Sequence, residues 1–142
     1  LDLRPRQLGN EGLVNGIKRL IAEYRAHTFS EVNFTGPDEL KDLPHTQSLA
    51  LFHICQEALA NAAKHAKAKK VEVSVWTTGE RALLEIRDDG KGFDLDKMQT
   101  SIGHGLANMQ TRAHAVGGDI DISSTFDDGT TILIWVPRAI KH

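Results

Sequence analysis

Residues 71–93 read VEVSVWTTGERALLEIRDDGKGF, and this stretch decides the fold class. Val71, Val73 and Val75 alternate with polar residues, and Ala82, Leu84 and Ile86 repeat the pattern beyond Thr78-Gly79. Alternation of period two marks half-buried strands, and the Gly-containing break joins them as a hairpin. Upstream, residues 46–66 carry the strongest helical pattern in the chain. Before it, Leu13, Ile17, Leu20, Ile21 and Tyr24 recur at helical spacing over Gly12–Tyr24. Phe29–Thr35 then reads as a short strand, followed by the loop GPDELKDLP. Downstream, a helix runs from about Leu106 to Ala115 and stops at Gly117-Gly118. Ile120 and Ile122 open a second hairpin, whose Asp128-Gly129 turn leads into TTILIWVP and ends at Pro137. Three helices and five one-sided strands predict an α+β two-layer sandwich, a mixed five-stranded sheet covered on one face by the helices.

The composition limits the function classes. A chain of 142 residues suits one domain burying roughly 68% of its unfolded surface. With 17 Lys+Arg against 19 Asp+Glu the formal charge is −2, which excludes a globally basic nucleic-acid binder. The single cysteine, Cys55, excludes an internal disulfide and a cysteine zinc cluster, and reads as core. No apolar run approaches ~18 residues and no signal-peptide pattern opens the chain. Because the first residue is Leu, the chain reads as a fragment, with any membrane segment outside it.

Three features could carry chemistry. On the long helix, with Glu57 at the origin, Asn61 falls at about 40°, Lys64 at about −20° and His65 at about 80°. The apolar arc of Leu51, Cys55, Ala58, Leu59, Ala62 and Ala66 lies beside them at about 100–200°. A carboxylate, an amide oxygen, an ammonium and an imidazole in one stripe suit a metal-bound phosphate, although the spacing alone fits an ordinary solvated flank better. Next, Asp88-Asp89-Gly90-Lys91-Gly92-Phe93 sits at a strand end, where an Asp can accept a hydrogen bond from an exocyclic amine. The calcium-loop spacing is absent there, and a tight acidic turn is the plain alternative. Third, Gly103-His104-Gly105-Leu106 opens a helix whose N–H groups could meet a phosphate, or is simply a flexible interhelix loop. The P-loop and dinucleotide fingerprints are both unmet, which disfavours P-loop enzymes, Rossmann dehydrogenases and eukaryotic-type kinases.

Their order is more specific than any one of them. HICQEALANAAKHA (53–66), DDGKGFD (88–94), GHGLANMQTRAHAVGGDIDISS (103–124) and DDGTTILIWVP (127–137) together resemble the GHKL, or Bergerat-fold, ATPases. Within these the match looks like the catalytic and ATP-binding domain of bacterial sensor histidine kinases, in a form similar to the nitrate-sensor-like subfamily. The resemblance runs from about Leu3 to Pro137.

The resemblance implies a role for each matching residue. Glu57 takes the position of the catalytic acid or base, which would orient or deprotonate the nucleophile or polarise the site. Asn61 would coordinate Mg²⁺ through its amide oxygen, while Lys64 and His65 would face the phosphates of ATP. Asp88 would bind the adenine amino group, with Gly90 and Gly92 letting the loop pass close to the base and Thr130 beside Asp88. Gly103, His104, Gly105 and Leu106 would meet the phosphates at a helix start, and residues 94–104 would form a mobile lid. Lys97 is the only lysine in that lid, which has no arginine.

The implied reaction is phosphoryl transfer from ATP to a histidine on a dimerisation domain absent from this chain. None of the seven histidines is followed by Asp or Glu, as a phosphoacceptor of this subfamily would be. Residues 1–10, with LDLRP, resemble the end of a preceding dimerisation region or linker; 11–139 form the ATPase domain and 140–142 a tail. The implied partners are the dimerisation and phosphoacceptor domain of the parent protein and a response regulator with a helix-turn-helix output domain. No nucleic acid and no membrane contact are implied for the fragment, which is expected to be monomeric and cytoplasmic. Two other readings stand beside this one: a nucleotide-gated switch without turnover, and an anti-sigma-factor-type serine kinase of the same fold. His27, His53 and His114 read as surface residues, Trp76 and Trp135 as packing residues, and Met109 as either lid or core.

Overall fold

The computed structural model describes residues 7–66, 68–92, 100–124 and 128–139. Residues 1–6, most of the expected lid and the tail 140–142 lie outside the described residues. The chain runs α1 (Leu13–His27), β1 (Glu31–Thr35), α2 (His45–Asn61), a π-helical turn (Ala62–Ala66), β2 (Lys70–Thr77) and β3 (Arg81–Asp88). It continues through α3 (Thr100–Ala115), β4 (Asp119–Ser124) and β5 (Thr130–Pro137). The sheet order is β1-β2-β3-β5-β4; β1 runs parallel to β2 and every other pair is antiparallel. A parallel pair needs a long crossover, and here α2 with its π-turn supplies it. Both expected hairpins form, β2–β3 and β4–β5. The α+β two-layer sandwich with its mixed five-stranded sheet is the architecture the sequence predicts.

Alternation places Val71, Val73 and Val75 of β2 opposite Asp88, Ile86 and Leu84 of β3, which in turn face Thr130, Ile132 and Ile134 of β5. The apolar members of these rows are buried against the helices. From the helical layer, Ile17, Leu51, Phe52, Ile54 and Met109 meet them, each almost wholly removed from water. Cys55 lies in the same core, where burial pushes its thiol up to about 12. α2 is the central helix, packed against α1 on one side and α3 on the other. α3 stops where expected: the Gly118 N–H donates to Ala113 O at 2.9 Å and the Gly117 N–H to His114 O at 3.1 Å. That is the paired-bond stop of a helix ending in a left-handed glycine.

Three expectations are corrected. The helix expected over 46–66 is α-helical only to Asn61 and then widens into a π-turn. The helix expected from about Leu106 already includes Thr100–Gly105, both glycines of the GHG group lying inside it, with Gly105 packed closely on α2. Of the two tryptophans read as packing residues, both of which alternation turns to the sheet face away from the helices, only Trp76 is corrected. There Trp76 is exposed, and the Arg81 guanidinium lies 3.9 Å from the centre of the Trp135 ring.

Candidate functional site

One row of the inner sheet face departs from the rest. Where the rows Val73–Ile86–Ile132 and Val75–Leu84–Ile134 are apolar throughout, the row at the sheet end reads Val71, Asp88, Thr130 and Ser124. A polar run on a face otherwise buried is costly unless its groups are hydrogen-bonded, as they are here. The Gly90 N–H donates to Asp88 Oδ1 at 2.9 Å, and the Ser124 and Thr130 hydroxyls are 2.8 Å apart. Among the described residues no Lys, Arg or His forms an ion pair with Asp88. Its burial holds the carboxyl above the usual aspartate value, with the nearby Asp89 charge adding to the rise and the Gly90 and Thr130 N–H groups opposing it. A half-buried carboxylate that keeps acceptor capacity is suited to a neutral N–H donor such as an exocyclic amine.

Gly129 permits this geometry. It has φ +81°, and a Cβ there would stand 2.2 Å from the Asp88 carbonyl oxygen. Only glycine tolerates both conditions. Gly92 also has positive φ, at 62°. Tyr24, at the end of α1, lies beneath the same corner. Its hydroxyl donates to Ser30 Oγ at 3.4 Å, and its acidity is weakened first by burial and then by the Asp88 and Asp89 charges.

The second group of expected residues is on α2. Glu57 and Asn61, one turn apart and each half-buried, lie against α3 at Gly105. A Cβ at Gly105 would come within 2.5 Å of Glu57 Oε1 and 3.3 Å of Asn61 Nδ2, so the amide nitrogen of Asn61, not its oxygen, faces α3. Lys64 is exposed on the π-turn; of His65 only the backbone, in that same turn, is described. π-turns inside helices are frequent at functional sites. His53, one turn before Glu57, is half-buried rather than on the surface. Burial and then the Arg112 charge hold its imidazole below the usual value.

The third group stands differently from expectation. Because α3 already runs from Thr100, Gly103, His104, Gly105 and Leu106 lie within the helix rather than at its start. His104 is exposed, Gly105 is buried on α2, and both Leu106 and Met109 are core residues. The sequence reading passed over Ser124, Asp89 and Ser30. The cross-strand position of Ser124 opposite Thr130 was a usable signal; the other two act on backbone groups and leave none.

The two-layer sandwich, three helices on one face of a mixed five-stranded sheet, is the fold class of the domain. The Histidine kinase-, DNA gyrase B-, and HSP90-like ATPase family matches residues 46–140, and the chain belongs to that family. Among curated relatives it is 36% identical over 137 residues to the signal transduction histidine-protein kinase/phosphatase DegS of Brevibacillus brevis, covering 96% of this chain and 35% of that protein. It is 37% identical over 138 residues to the histidine-protein kinase/phosphatase UhpB of Salmonella typhimurium, covering 96% of this chain and 27% of that protein. The chain thus spans about a third of the curated relatives it matches. Its fold is similar to the histidine kinase domain of the Erythrobacter litoralis EL346 blue-light activated histidine kinase. That match has a TM-score of 0.73 at 17% identity and covers 94% of this chain and 65% of that one.

Proposed function

We propose that this chain is the ATP-binding catalytic domain of a two-component sensor histidine kinase, transferring the γ-phosphate of ATP to a histidine on a dimerisation domain outside it. The observation that carries the reading is the half-buried Asp88 carboxylate, with no cationic partner among the described residues, in a member of an ATPase family whose relatives are named histidine kinases. In this reading the adenine amine donates to Asp88, beside Thr130, while Gly90 and Gly92 let the backbone approach the base. The triphosphate runs toward α2, where Lys64 and His65 neutralise it and Glu57 holds or accepts a proton of the incoming imidazole. Gly103 and His104 border the phosphates from α3.

Phosphoryl transfer depends on positioning and charge neutralisation, which Mg²⁺ supplies when bound. The donors present fit that ion. Asn61 offers a hard amide oxygen beside the Glu57 carboxylate, and among the described residues no cluster of three His, Cys, Asp or Glu encloses an ion. Phosphate oxygens and waters would complete the shell, the usual arrangement for Mg²⁺ in such sites. The reading places residues 1–10 at the end of the dimerisation region and the domain, monomeric alone, in the cytoplasm with ATP. A response regulator with a helix-turn-helix output domain would take the phosphate onward.

Calorimetric titration with a non-hydrolysable ATP analogue, with and without Mg²⁺, tests the reading. Binding that Asp88→Asn abolishes is expected, with phosphotransfer once a phosphoacceptor domain is added. No binding at millimolar analogue would end it. Phosphate appearing on a partner serine, and none on histidine, would favour the serine-kinase alternative.

A further inference from the structure

The segment leaving the π-turn, residues 68–70, is fastened on both sides. From β1, Ser30 Oγ–H donates to Ala68 O, and the Glu31 N–H donates to Lys69 O at 2.8 Å. From the end of β3, a single residue makes three bonds. Asp89 Oδ1 accepts from the N–H groups of Lys69 and Lys70, each at 2.9 Å, and the Asp89 N–H donates to Lys70 O at 3.2 Å. Five successive backbone polar groups, from Ala68 O to Lys70 O, are therefore all satisfied within this knot. It lies between Asp88, one residue from the clamp, and Lys64, on the turn that the segment leaves.

We propose that Asp89 is a positioning residue for the nucleotide. By gripping residues 69 and 70 it sets the distance between the base-binding carboxylate of Asp88 and the phosphate-facing end of α2. The inference rests on the proposed ATP site and deepens it. Asp89 itself touches neither end of the ligand in this account. Misplacement of one binding group relative to another by a fraction of its length weakens only ligands that span both. Adenosine, which engages the Asp88 end alone, should not sense the clamp, whereas a triphosphate should.

Electrostatics makes the opposite prediction, which separates the two effects. Removing a negative charge near a polyanion's site strengthens binding, and it does so equally for Ala and Asn. The clamp requires an acceptor oxygen, which Asn retains and Ala lacks.

The test is a pair of titrations on wild type, Asp89→Ala and Asp89→Asn: a non-hydrolysable ATP analogue with Mg²⁺ by calorimetry, and adenosine by NMR. For Asp89→Ala the analogue should bind about tenfold more weakly, as expected for losing charge-assisted hydrogen bonds that position a site. Adenosine should be unchanged, and Asp89→Asn should bind adenosine as wild type does and the analogue at least as tightly. Equal weakening of both ligands by Asp89→Ala would show a structural role only and overturn the proposal. So would unchanged or tighter analogue binding by that variant. If Asp89→Ala does not fold, Ser30→Ala loosens the same segment from β1 and must show the same selective loss. Wild type binding neither ligand would instead refute the nucleotide site itself.

Discussion

The carboxylate of Glu57 and the bare Cα of Gly105 face each other across the seam between α2 and α3, so closely that a methyl group would stand 2.5 Å from Glu57 Oε1. The two helices meet here because one of them has no side chain at this point. The expected catalytic carboxylate is consequently held by the helix that carries the glycine-rich group, joining two motifs 48 positions apart in sequence.

Gly105→Ala should separate stability from activity. Inside a helix, Ala is favoured over Gly by about 1 kcal/mol. The clash falls on the far end of a flexible side chain, which can swing aside at small cost. Thermal melting should therefore show a fold as stable as wild type or slightly more so. The displaced Glu57 should slow phosphotransfer by about tenfold or more, the lower range of acid–base contributions. Wild-type turnover in this variant would remove Glu57 from the chemistry.

Asp88→Asn should abolish nucleotide binding while relieving a pH-dependent cost. Burial holds the folded-state carboxyl of Asp88 above its ordinary 3.8. Folding then binds its proton more tightly, so the group favours folding at low pH. That contribution is lost as pH rises from about 3.8 through the raised value. Above both values the buried charge opposes folding. Asn keeps an oxygen for the Gly90 N–H and carries no charge. Urea melts at pH about 3.5 and about 7 should show the variant gaining on wild type at the higher pH. A difference of the opposite sign would contradict the burial.

Much of this architecture was legible in the sequence, for a specific reason. Alternation over Val71–Ile86 and Thr130–Val136 is a local signal, and the two hairpins fix register through their own turns. What escaped depends on contacts distant in sequence. The inclusion of Gly103 and Gly105 within α3 goes with Gly105 meeting Glu57 of α2, a contact 48 positions away that the local pattern, open between a helix start and a loop, does not record. The π-turn at Ala62–Ala66 carries no distinct pattern, since AAKHA suits an α-helix equally. The outward placement of Trp76 and Trp135 follows from their register in β2 and β5. The Asp89 clamp joins residues 19 and 20 positions apart through backbone N–H groups, which no side-chain pattern records.

Gly129→Ala tests the sheet end without touching a charged group. The residue has φ +81° and lies against the Asp88 carbonyl, which is backbone and cannot move aside. Left-handed backbone at a residue with a side chain costs on the order of 1–3 kcal/mol before any clash. Denaturant unfolding should show a loss of at least that size, accompanied by weaker nucleotide binding. A neutral effect on both would mean that β5 does not enter beside Asp88 as described.

Arg81→Ala addresses the opposite face of the sheet. The guanidinium stacked over Trp135 at 3.9 Å is an exposed cation–π pair, worth about 0.5–1 kcal/mol. Stability should fall by that amount, with Kd for the ATP analogue unchanged, because no residue of the site lies on that face. A changed Kd would link the outer face to the site.

Asn61→Ala bears on the metal. Asn61 is the last α-helical residue of α2 and half-buried, and Ala there is a better helix former, so the fold should survive. Its side chain lies against the α2–α3 seam beside Glu57 rather than in the buried core. If the amide oxygen is a ligand of Mg²⁺, the ion should strengthen analogue binding by about tenfold in wild type and far less in the variant. The comparison that matters is the ratio of Kd values in EDTA and in Mg²⁺, since a general loss of affinity would shift both alike. An undiminished ratio in Asn61→Ala would place the ion on the phosphates alone and leave Asn61 as a neighbour of Glu57.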